Sequence, residues 1–450
     1  MAFQQALSGL NSASKAIDAT SHNIANSSTI GYKSSTAHFG DVYAASLAGA
    51  GASQIGIGVN LSAVQQQFTQ GNITATNNPL DVSINGAGFF KMDSNGATSY
   101  TRNGQFHLDK NGYVVNDQSL KLTGYAALSG VVVPSTPTPI QISASDLPPI
   151  ATGGSTSNSF SGVKANLNLD SRKTTPTGAF TPAASQSALF TPDPLSYNYS
   201  TALDVYDTLG NAHTLTMFMR KDDSAAAAAA AAALVPPVSP AGVWDVHFTL
   251  DGSSEANMLT GSGGQLVFDS TGKLASPTDG KFALSIDLGA VMAANGESNG
   301  AVDPLAFNVD FTGSTQFGSA FGTNRLEQDG YAAGHLVGLS VADDGVIEGR
   351  YSNGQTFVQG QIVLANFTNP NGLQALGNNQ WIETSVSGPA LIGSPNTSSL
   401  GVLSSSTVEE SNVDLTAELV NLISQQRSYQ ANAQSIKTQD SIMQTLVNLR

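Results

Sequence analysis

The segment that closes the chain, from Asn412 to Arg450, contains neither glycine nor proline and carries a regular apolar pattern. Its apolar and small side chains are spaced alternately three and four residues apart once Gln426 and Asp440 are counted in the series. They are Leu415, Leu419, Leu422, Tyr429, Ala433, Ile436, Met443 and Val447. This spacing predicts a helix that pairs with another helix along its length. Such a helix would be roughly 55 Å long, and the capping-box spacing of Ser411 to Asp414 predicts its start.

The beginning of the chain carries a matching pattern that stops at Gly31. Its apolar members, together with Ser14 and Ser21, alternate in steps of four and three. They are Phe3, Leu7, Leu10, Ile17 and Ile24. Polar residues in such a seam set the register of a helix pair at a cost in stability. An ordinary pair of core helices would explain one seam, but two seams at opposite ends of a β-rich chain favour an assembly device.

Composition limits the classes of function. The chain has 450 residues, a length typical of about three domains. Only 11% of the residues are charged, and a net charge of −15 argues against nucleic acid and anionic membranes as partners. Cysteine is absent, which excludes disulfides, thiolate metal sites and a cysteine nucleophile. No apolar run is long enough for membrane insertion, and the start lacks the basic segment of a signal peptide.

Between the two ends the pattern changes to the two-residue period of β-strands. The dipeptides Asn95-Gly96 and Asn111-Gly112 predict tight hairpin turns, because such turns need positive φ at both central residues. The middle of the chain predicts an antiparallel sandwich or barrel. Its alternating runs are 203–206, 213–219, 243–250, 266–268, 282–288 and 307–311. The alanine run from Ala225 to Ala233 is compatible with a short surface helix, a flexible insertion or a placeholder for unassigned sequence, and it suggests no function.

These patterns predict a mainly β fold with α-helical termini, organised as nested domains. Residues 1–30 and 408–450 would form a terminal coiled-coil domain. Residues 31–70 would be a linker that orders on assembly, because a structureless stretch of that length is unusual inside a compact domain. An inner antiparallel β domain would combine 71–145 with 322–407, and an outer β domain at 146–321 would be inserted into it. Chain termini that lie close together make such an insertion reasonable.

The sequence offers no convincing catalytic or metal-binding constellation. The six histidines are scattered and none has the His-Glu-x-x-His spacing, and neither a phosphate-binding loop nor a Gly-x-Ser-x-Gly elbow occurs. His213 and His247 lie in alternating strands, where ordinary sheet packing explains them. Charge pairs such as Glu409-Glu410 are best explained as solvated residues. We therefore predict a protein that is not an enzyme and needs no metal or cofactor.

Several ordered motifs resemble those of the bacterial flagellar rod and hook proteins. Near the start they are Ser8-Gly9-Leu10-Asn11, Asn23-Ile24-Ala25-Asn26, Gly31-Tyr32-Lys33, Asn78-Pro79-Leu80-Asp81 and Tyr100-Thr101-Arg102-Asn103-Gly104. Near the end they are Ser411-Asn412-Val413-Asp414-Leu415 and Gln426-Arg427-Ser428-Tyr429. The resemblance covers about 1–125 and 330–450. The motif residues that we take from it are Asn23, Asn26, Gly31, Asn412, Asp414, Gln426 and Arg427.

Within this family the resemblance implies a hook subunit, because rod proteins have little between their two ends. It implies export by the flagellar type III apparatus without a cleaved signal peptide. It also implies polymerisation under a cap protein into a curved extracellular tube, a universal joint that carries motor torque from rod to filament. The implied partners are further copies in a helical homo-polymer, the rod, the hook cap and the hook–filament junction proteins. The alternatives are a distal rod subunit, a secreted adhesin and a secreted hydrolase.

The helical patterns of the two termini also suggest when these segments fold. Short amphipathic helices are marginal in isolation. We therefore expect both termini to be largely disordered in the monomer and to order when neighbouring subunits cover their seams.

Overall fold

The chain divides into two compact units in the computed structural model. The first comprises Met1–Ala144, Val337–Tyr351 and Thr356–Arg450, and the second comprises Ser145–Leu336 and Ser352–Gln355. The structure describes residues 2–43, 56–128, 130–143, 145–155, 160–181, 190–232, 242–253, 257–260, 263–298 and 300–448. Many strands lie between a helix at each end, which confirms the predicted fold class.

The first unit begins with helix α1 (Ala2–Ala25) and the hairpin of β1 (Ser35–Tyr43) and β2 (Gly56–Gln66). The strands that follow are β3 (Ile73–Ala75), β4 (Val82–Asn85), β5 (Phe89–Ser94), β6 (Ala97–Thr101), β7 (His107–Leu108), β8 (Val114–Val115), β9 (Lys121–Leu128), β10 (Val131–Val132) and β11 (Thr138–Pro139).

The hairpin corrects the prediction that 31–70 is a linker. β1 and β2 pair antiparallel from Ser35 opposite Gln66 to Tyr43 opposite Gly56. This pairing satisfies the backbone N–H and C=O groups that a linker would expose to water. Residues 44–55, which include part of the predicted linker, lie outside the described residues.

The second unit contains eleven strands and two short helices among its described residues. They are β12 (Val163–Asp170), β13 (Tyr199–Tyr206), β14 (Ala212–Lys221), α2 (Ala225–Ala232), β15 (Gly242–Leu250), β16 (Met258–Thr260), β17 (Gly263–Phe268), β18 (Leu274–Ser276), β19 (Lys281–Ile286), α3 (Leu288–Asn295), β20 (Leu305–Asp310), β21 (Thr315–Phe317) and β22 (Gly322–Gln328). Most of the alanine run thus forms α2.

Two sheets form a sandwich in this unit. One has the order β16-β19-β20-β12-β21, with β22 also paired to β12, and the other has the order β13-β14-β15-β17-β18. Both contribute side chains to one apolar core, in which Trp244, Phe268 and Phe311 are completely buried. The pairing is not wholly antiparallel, because β12 runs parallel to β20 and β21.

Two predicted boundaries in this unit differ from the structure. β22 pairs along β12 from Val163 opposite Gln328 to Asn168 opposite Gly322, which joins it to the second unit and not to the inner β domain predicted from residue 322. The strand predicted over 282–288 ends earlier, at Ile286. Asp287 caps α3 there, because its carboxylate accepts a hydrogen bond from Ala290 N at 2.8 Å.

The chain then returns to the first unit. Its elements are β23 (Leu336–Val341), β24 (Val346–Tyr351), β25 (Thr356–Ile362), β26 (Leu364–Asn366), a 3₁₀ turn (Pro370–Gly372), β27 (Gln374–Gly377), β28 (Gln380–Ile382), β29 (Leu391–Gly393), β30 (Val402–Ser405), β31 (Thr407–Glu409) and α4 (Leu415–Asn448).

Early and late strands complete this unit together. β3 pairs with β31 and β4 with β30, while a large sheet runs in the order β23-β24-β25-β9-β5-β6-β28-β27. One aromatic core cluster, formed by Phe89, Tyr100, Phe367 and Trp381, likewise joins residues from both halves of the chain. The first unit therefore needs residues from both sides of the inserted one.

The two predicted turns behave differently. Asn95 and Gly96 have φ of 51° and 95° and join β5 to β6, which confirms the prediction there. In the second turn only Gly112 has positive φ, 81°. The Asp109 carboxylate accepts from the N–H groups of Asn111 and Tyr113, each at 2.8 Å, and so holds a longer turn.

The two histidines predicted to be ordinary sheet residues have specific partners in the second unit. The ring of His247 stacks on Phe180 with centroids 4.0 Å apart. His213 on β14 is buried, with Nδ1 2.7 Å from Asp251 Oδ2 and Nε2 3.5 Å from Asp207 Oδ2. The hydrogen bond to Asp251 raises the pKa of His213, and burial opposes this shift only in part.

The raised pKa of His213 in the folded state makes the stability of the second unit depend on pH. The charged imidazole contributes stability fully below its unfolded pKa of about 6.5, and this contribution is lost as pH rises through the folded value. We predict that the free energy of unfolding falls across this range by an amount on the order of a hydrogen bond to a charged group, roughly 1–3 kcal/mol. Replacing His213 by Gln should remove most of this dependence.

Urea unfolding followed through Trp244 fluorescence, in a Trp381→Phe background, measures this effect. The exposed His335 supplies the control, because His335→Gln should leave the pH dependence unchanged. Equal pH dependence in the His213→Gln variant and the reference would contradict the prediction.

Candidate assembly site

The two terminal helices lie against each other in the first unit. They approach closely at Gly9, where an added Cβ would lie 2.9 Å from the side-chain amide of Asn432. Near the start of α4, Glu418 accepts a hydrogen bond from Asn23 of α1 at 3.1 Å. The half-buried positions of α4 on this face lie three, four or seven residues apart, except for the adjacent Asn432 and Ala433. They are Glu418, Leu422, Gln425, Asn432, Ala433, Ile436 and Gln439.

The structure brings together only part of the predicted seam. The half-buried members are Leu10, Ile17 and Ile24 on α1 and Leu422, Ala433 and Ile436 on α4. The exposed members are Phe3 and Leu7 on α1 and Leu415, Leu419, Tyr429, Met443 and Val447 on α4. Because side chains four residues apart share a helix face, Leu415, Leu419 and Ile423 form an exposed apolar stripe next to the contact with α1. We call these three residues the α4 stripe.

Polar side chains take four of the seven half-buried positions on the face of α4 that contacts α1. They are Glu418, Gln425, Asn432 and Gln439. Among the described atoms, the Oε1 atom of Gln425 is buried without a hydrogen-bond donor. A buried acceptor without a donor costs about 1–3 kcal/mol. The helix pair within one chain is therefore weakly stabilised.

The start of α4 differs from the predicted capping box. The helix begins at Leu415, and the Asp414 carboxylate accepts from Thr416 N at 2.9 Å and Ala417 N at 3.1 Å. Ser411 lies before the helix and accepts from Val413 N. The N-cap is therefore Asp414, whose negative charge also favours the helix N-terminus.

The motif residue Asn23 connects three segments at the base of the helix pair. Its Oδ1 atom accepts from Ser35 N at 2.8 Å and from the Tyr32 hydroxyl at 3.1 Å. Its Nδ2 atom donates to Ser35 O at 2.9 Å and to Glu418. Asn23 therefore ties α1 to both β1 and α4.

The other motif residues have distinct positions. The Nδ2 atom of Asn26 donates to His22 O, and Gly31 has φ of 70° where an added Cβ would lie 2.7 Å from Asn103 N. Asn412 accepts from Ser34 N at 2.7 Å. Gln426 and Arg427 are exposed on α4.

A buried ion cluster fixes the segments that lead into both helices. Glu409 lies 2.7 Å from Lys33 Nζ and 3.2 Å from Arg102 Nη1, and the side chains of Lys33 and Glu409 are completely buried. Glu409 Oε1 also accepts from Gly71 N at 2.9 Å, and its backbone oxygen accepts from Gly31 N at 2.8 Å. Burial lowers the pKa of both cationic groups, and the adjacent carboxylate opposes this effect.

Sequence reasoning missed this cluster and wrongly explained Glu409 as a solvated charge. Glu409 is separated from Lys33 by 376 residues and from Arg102 by 307. No periodicity or local motif encodes contacts over such distances. The one available signal was that Lys33 and Arg102 belong to the motifs quoted above.

Glu409→Gln should destabilise the first unit by about 3–5 kcal/mol, because it leaves two buried cations without their carboxylate. The neighbouring Glu410 is exposed, so Glu410→Gln should change stability by less than about 0.5 kcal/mol. Urea unfolding followed through Trp381, with Trp244 replaced by Phe in every protein, measures both. Equal midpoints for the two variants would refute the role given to Glu409.

Within the described ranges, no group of three or more histidine, aspartate or glutamate side chains is placed to hold a metal ion. None of the helices in that part of the chain combines the length and apolar character needed to cross a bilayer.

Comparison with known proteins identifies the family. Flagellar hook protein FlgE of Escherichia coli K12 is 40% identical over 100% of both chains. The chain belongs to the flagellar hook protein family. FlgE of Salmonella typhimurium is 38% identical, again over 100% of both chains. The crystal structure of Helicobacter pylori flagellar hook protein FlgE2 has a similar fold, with a TM-score of 0.50 and 14% identity, covering 73% of this chain and 98% of that one.

Four family models match successive parts of this hook-family chain. They are Flagella basal body rod protein at 3–33, Flagellar hook protein FlgE/F/G D1 domain at 83–145, Flagellar basal body protein FlaE D2 domain at 168–331 and Flagellar basal body rod FlgEFG protein C-terminal at 404–449. The D2 match lies within the second unit. The resemblance inferred from the motifs is confirmed, and the family is a structural one.

Proposed function

We propose that this chain is a structural subunit of the bacterial flagellar hook, polymerising into a curved, flexible tube that transmits motor torque from rod to filament. The full-length similarity to proteins named flagellar hook protein supports this assignment. The observation that carries the mechanism is the α4 stripe, which a single chain leaves exposed beside a helix–helix contact.

A second copy of the chain would cover the α4 stripe. The apolar residues Phe3 and Leu7 near the start of α1 are also exposed, so both terminal helices present uncovered apolar side chains. Burying such side chains contributes about 1.5–3 kcal/mol each. Repetition of the contact along a helical assembly would stabilise both ends of every subunit.

The family also supplies the cellular setting of the proposal. The subunit would be exported by the flagellar type III apparatus and would act outside the cell. Its partners would be further copies, the rod, the hook cap and the hook–filament junction proteins. Gln426 and Arg427, exposed on α4, would contact neighbouring copies.

Leu419→Asp should prevent tube formation while leaving the single chain folded, because Leu419 is 43% exposed and lies outside the contact with α1. Burying a charge in the assembled seam should raise the critical concentration for assembly by at least about tenfold. Asn421→Asp adds the same charge on the opposite side of α4 and should assemble almost normally.

Electron microscopy of assembled samples measures the result, and circular dichroism of the free subunit checks folding. Curved tubes would also exclude the straight distal rod. Normal tubes from Leu419→Asp would show that the α4 stripe is not the assembly surface.

We also propose that the terminal helices are only marginally ordered in the free subunit, because the face of α4 that contacts α1 includes many polar side chains and its apolar stripe is uncovered. Hydrogen exchange should be fast across 2–25 and 415–448 in the monomer and slow in assembled tubes. We predict at least about a tenfold increase in protection, which corresponds to about 1.4 kcal/mol. Amides protected throughout both helices before assembly would contradict the proposal.

A further inference from the structure

The buried cluster around Glu409 carries one more positive than negative charge. Arg102 is 4% exposed, and its Nη1 and Nη2 atoms are occupied by Glu409 and by Gly86 O at 2.8 Å. Among the atoms that the structure describes, its Nε atom has no acceptor. Glu409 is also the acidic group whose charge acts on the pKa of Arg102 and of Lys33. The cluster therefore lacks one negative charge and one hydrogen-bond acceptor.

A cleft in the first unit borders this cluster. Its volume is about 240 Å³, and Arg102 forms part of its lining. Phe68, Phe89 and Pro370 provide apolar walls, while the amides of Gln70 and Asn366 provide polar ones. The Arg102 guanidinium lies 5.4 Å from the centre of the Phe89 ring. The cleft thus combines a buried cation with apolar walls, while the amide donors of Gln70 and Asn366 are already engaged by Asn85 and Ser399.

We propose that this cleft binds a carboxylate and that the occupant is an aspartate or glutamate side chain of a second copy of this chain. A carboxylate has the charge that the cluster lacks, and its two oxygens match the planar donors of a guanidinium. The apolar walls exclude water, which strengthens the attraction between the two charges.

Charge and position favour a second copy as the occupant. The chain has 33 acidic and 18 basic residues, so copies of it present an excess of carboxylates to each other. The cleft lies in the same unit as the exposed α4 stripe, which we propose is covered by copies. This inference rests on the proposed function, because it requires subunits to pack together.

A carboxylate supplied from within the chain should compete with the neighbouring copy. Gln70 is exposed and lines the cleft, so Gln70→Glu places an acidic group beside Arg102. We expect this variant to raise the critical concentration for tube assembly by about tenfold, the effect of losing about 1.4 kcal/mol per contact. Gln70→Met, which removes the amide without adding charge, should change the critical concentration by less than about threefold.

Acetate provides a direct probe of the cleft in the free subunit. The ¹⁵N resonance of Arg102 Nε should shift on titration of wild-type protein with acetate and should not shift in Gln70→Glu. Circular dichroism of each variant shows that the subunit is folded.

The outcomes separate this site from the proposed function. If wild-type protein forms tubes but Gln70→Glu and Gln70→Met assemble alike, the second copy is not the occupant and the proposal fails while the hook assignment stands. If acetate leaves the Arg102 resonance unmoved, the cleft does not bind a carboxylate. If wild-type protein forms no tubes, the proposed function fails. A second copy is then also ruled out as the occupant of the cleft.

Discussion

One carboxylate holds together the parts of the chain that matter most for assembly. Glu409 receives hydrogen bonds from Lys33, Gly71 and Arg102, and its backbone oxygen receives one from Gly31. These groups belong to the exit from α1, the approach to β3 and the end of β6. Since Glu409 also closes β31 just before α4, both terminal helices are anchored at the same buried point. Removal of water from this point strengthens these interactions, so loss of the one carboxylate would be costly.

The contact between α1 and α4 differs in kind from the buried cluster around Glu409. Around Glu409 two buried cations bond to one buried carboxylate, whereas the α1–α4 contact further along is half-exposed and includes many polar side chains. A subunit can therefore keep its base fixed while the distal parts of its helices exchange partners. Such a division between a rigid anchor and an adaptable contact suits a subunit of a bending tube.

Much of the fold could be predicted from the sequence because the local spacing of apolar residues determines many of its helices and strands. The period of the terminal segments predicted α1 and α4, and alternation predicted β13, β14 and β15. The β1–β2 hairpin was missed because its glycine-rich second strand reads as a linker. Glu409 was missed because its partners are distant in sequence. The α4 stripe was missed because the spacing of apolar residues alone does not show which of them contact α1.

The pairing of early with late strands constrains the order in which the molecule can form. β3 ends at Ala75, yet its partner β31 begins only at Thr407. The first unit thus has a high contact order, and its closure requires ends separated by most of the polypeptide to meet. During synthesis, or during passage through a narrow conduit, the first third of the chain cannot complete its strand pairing until the last strands emerge. The last strand to emerge, β31, sets the moment at which β3 can pair.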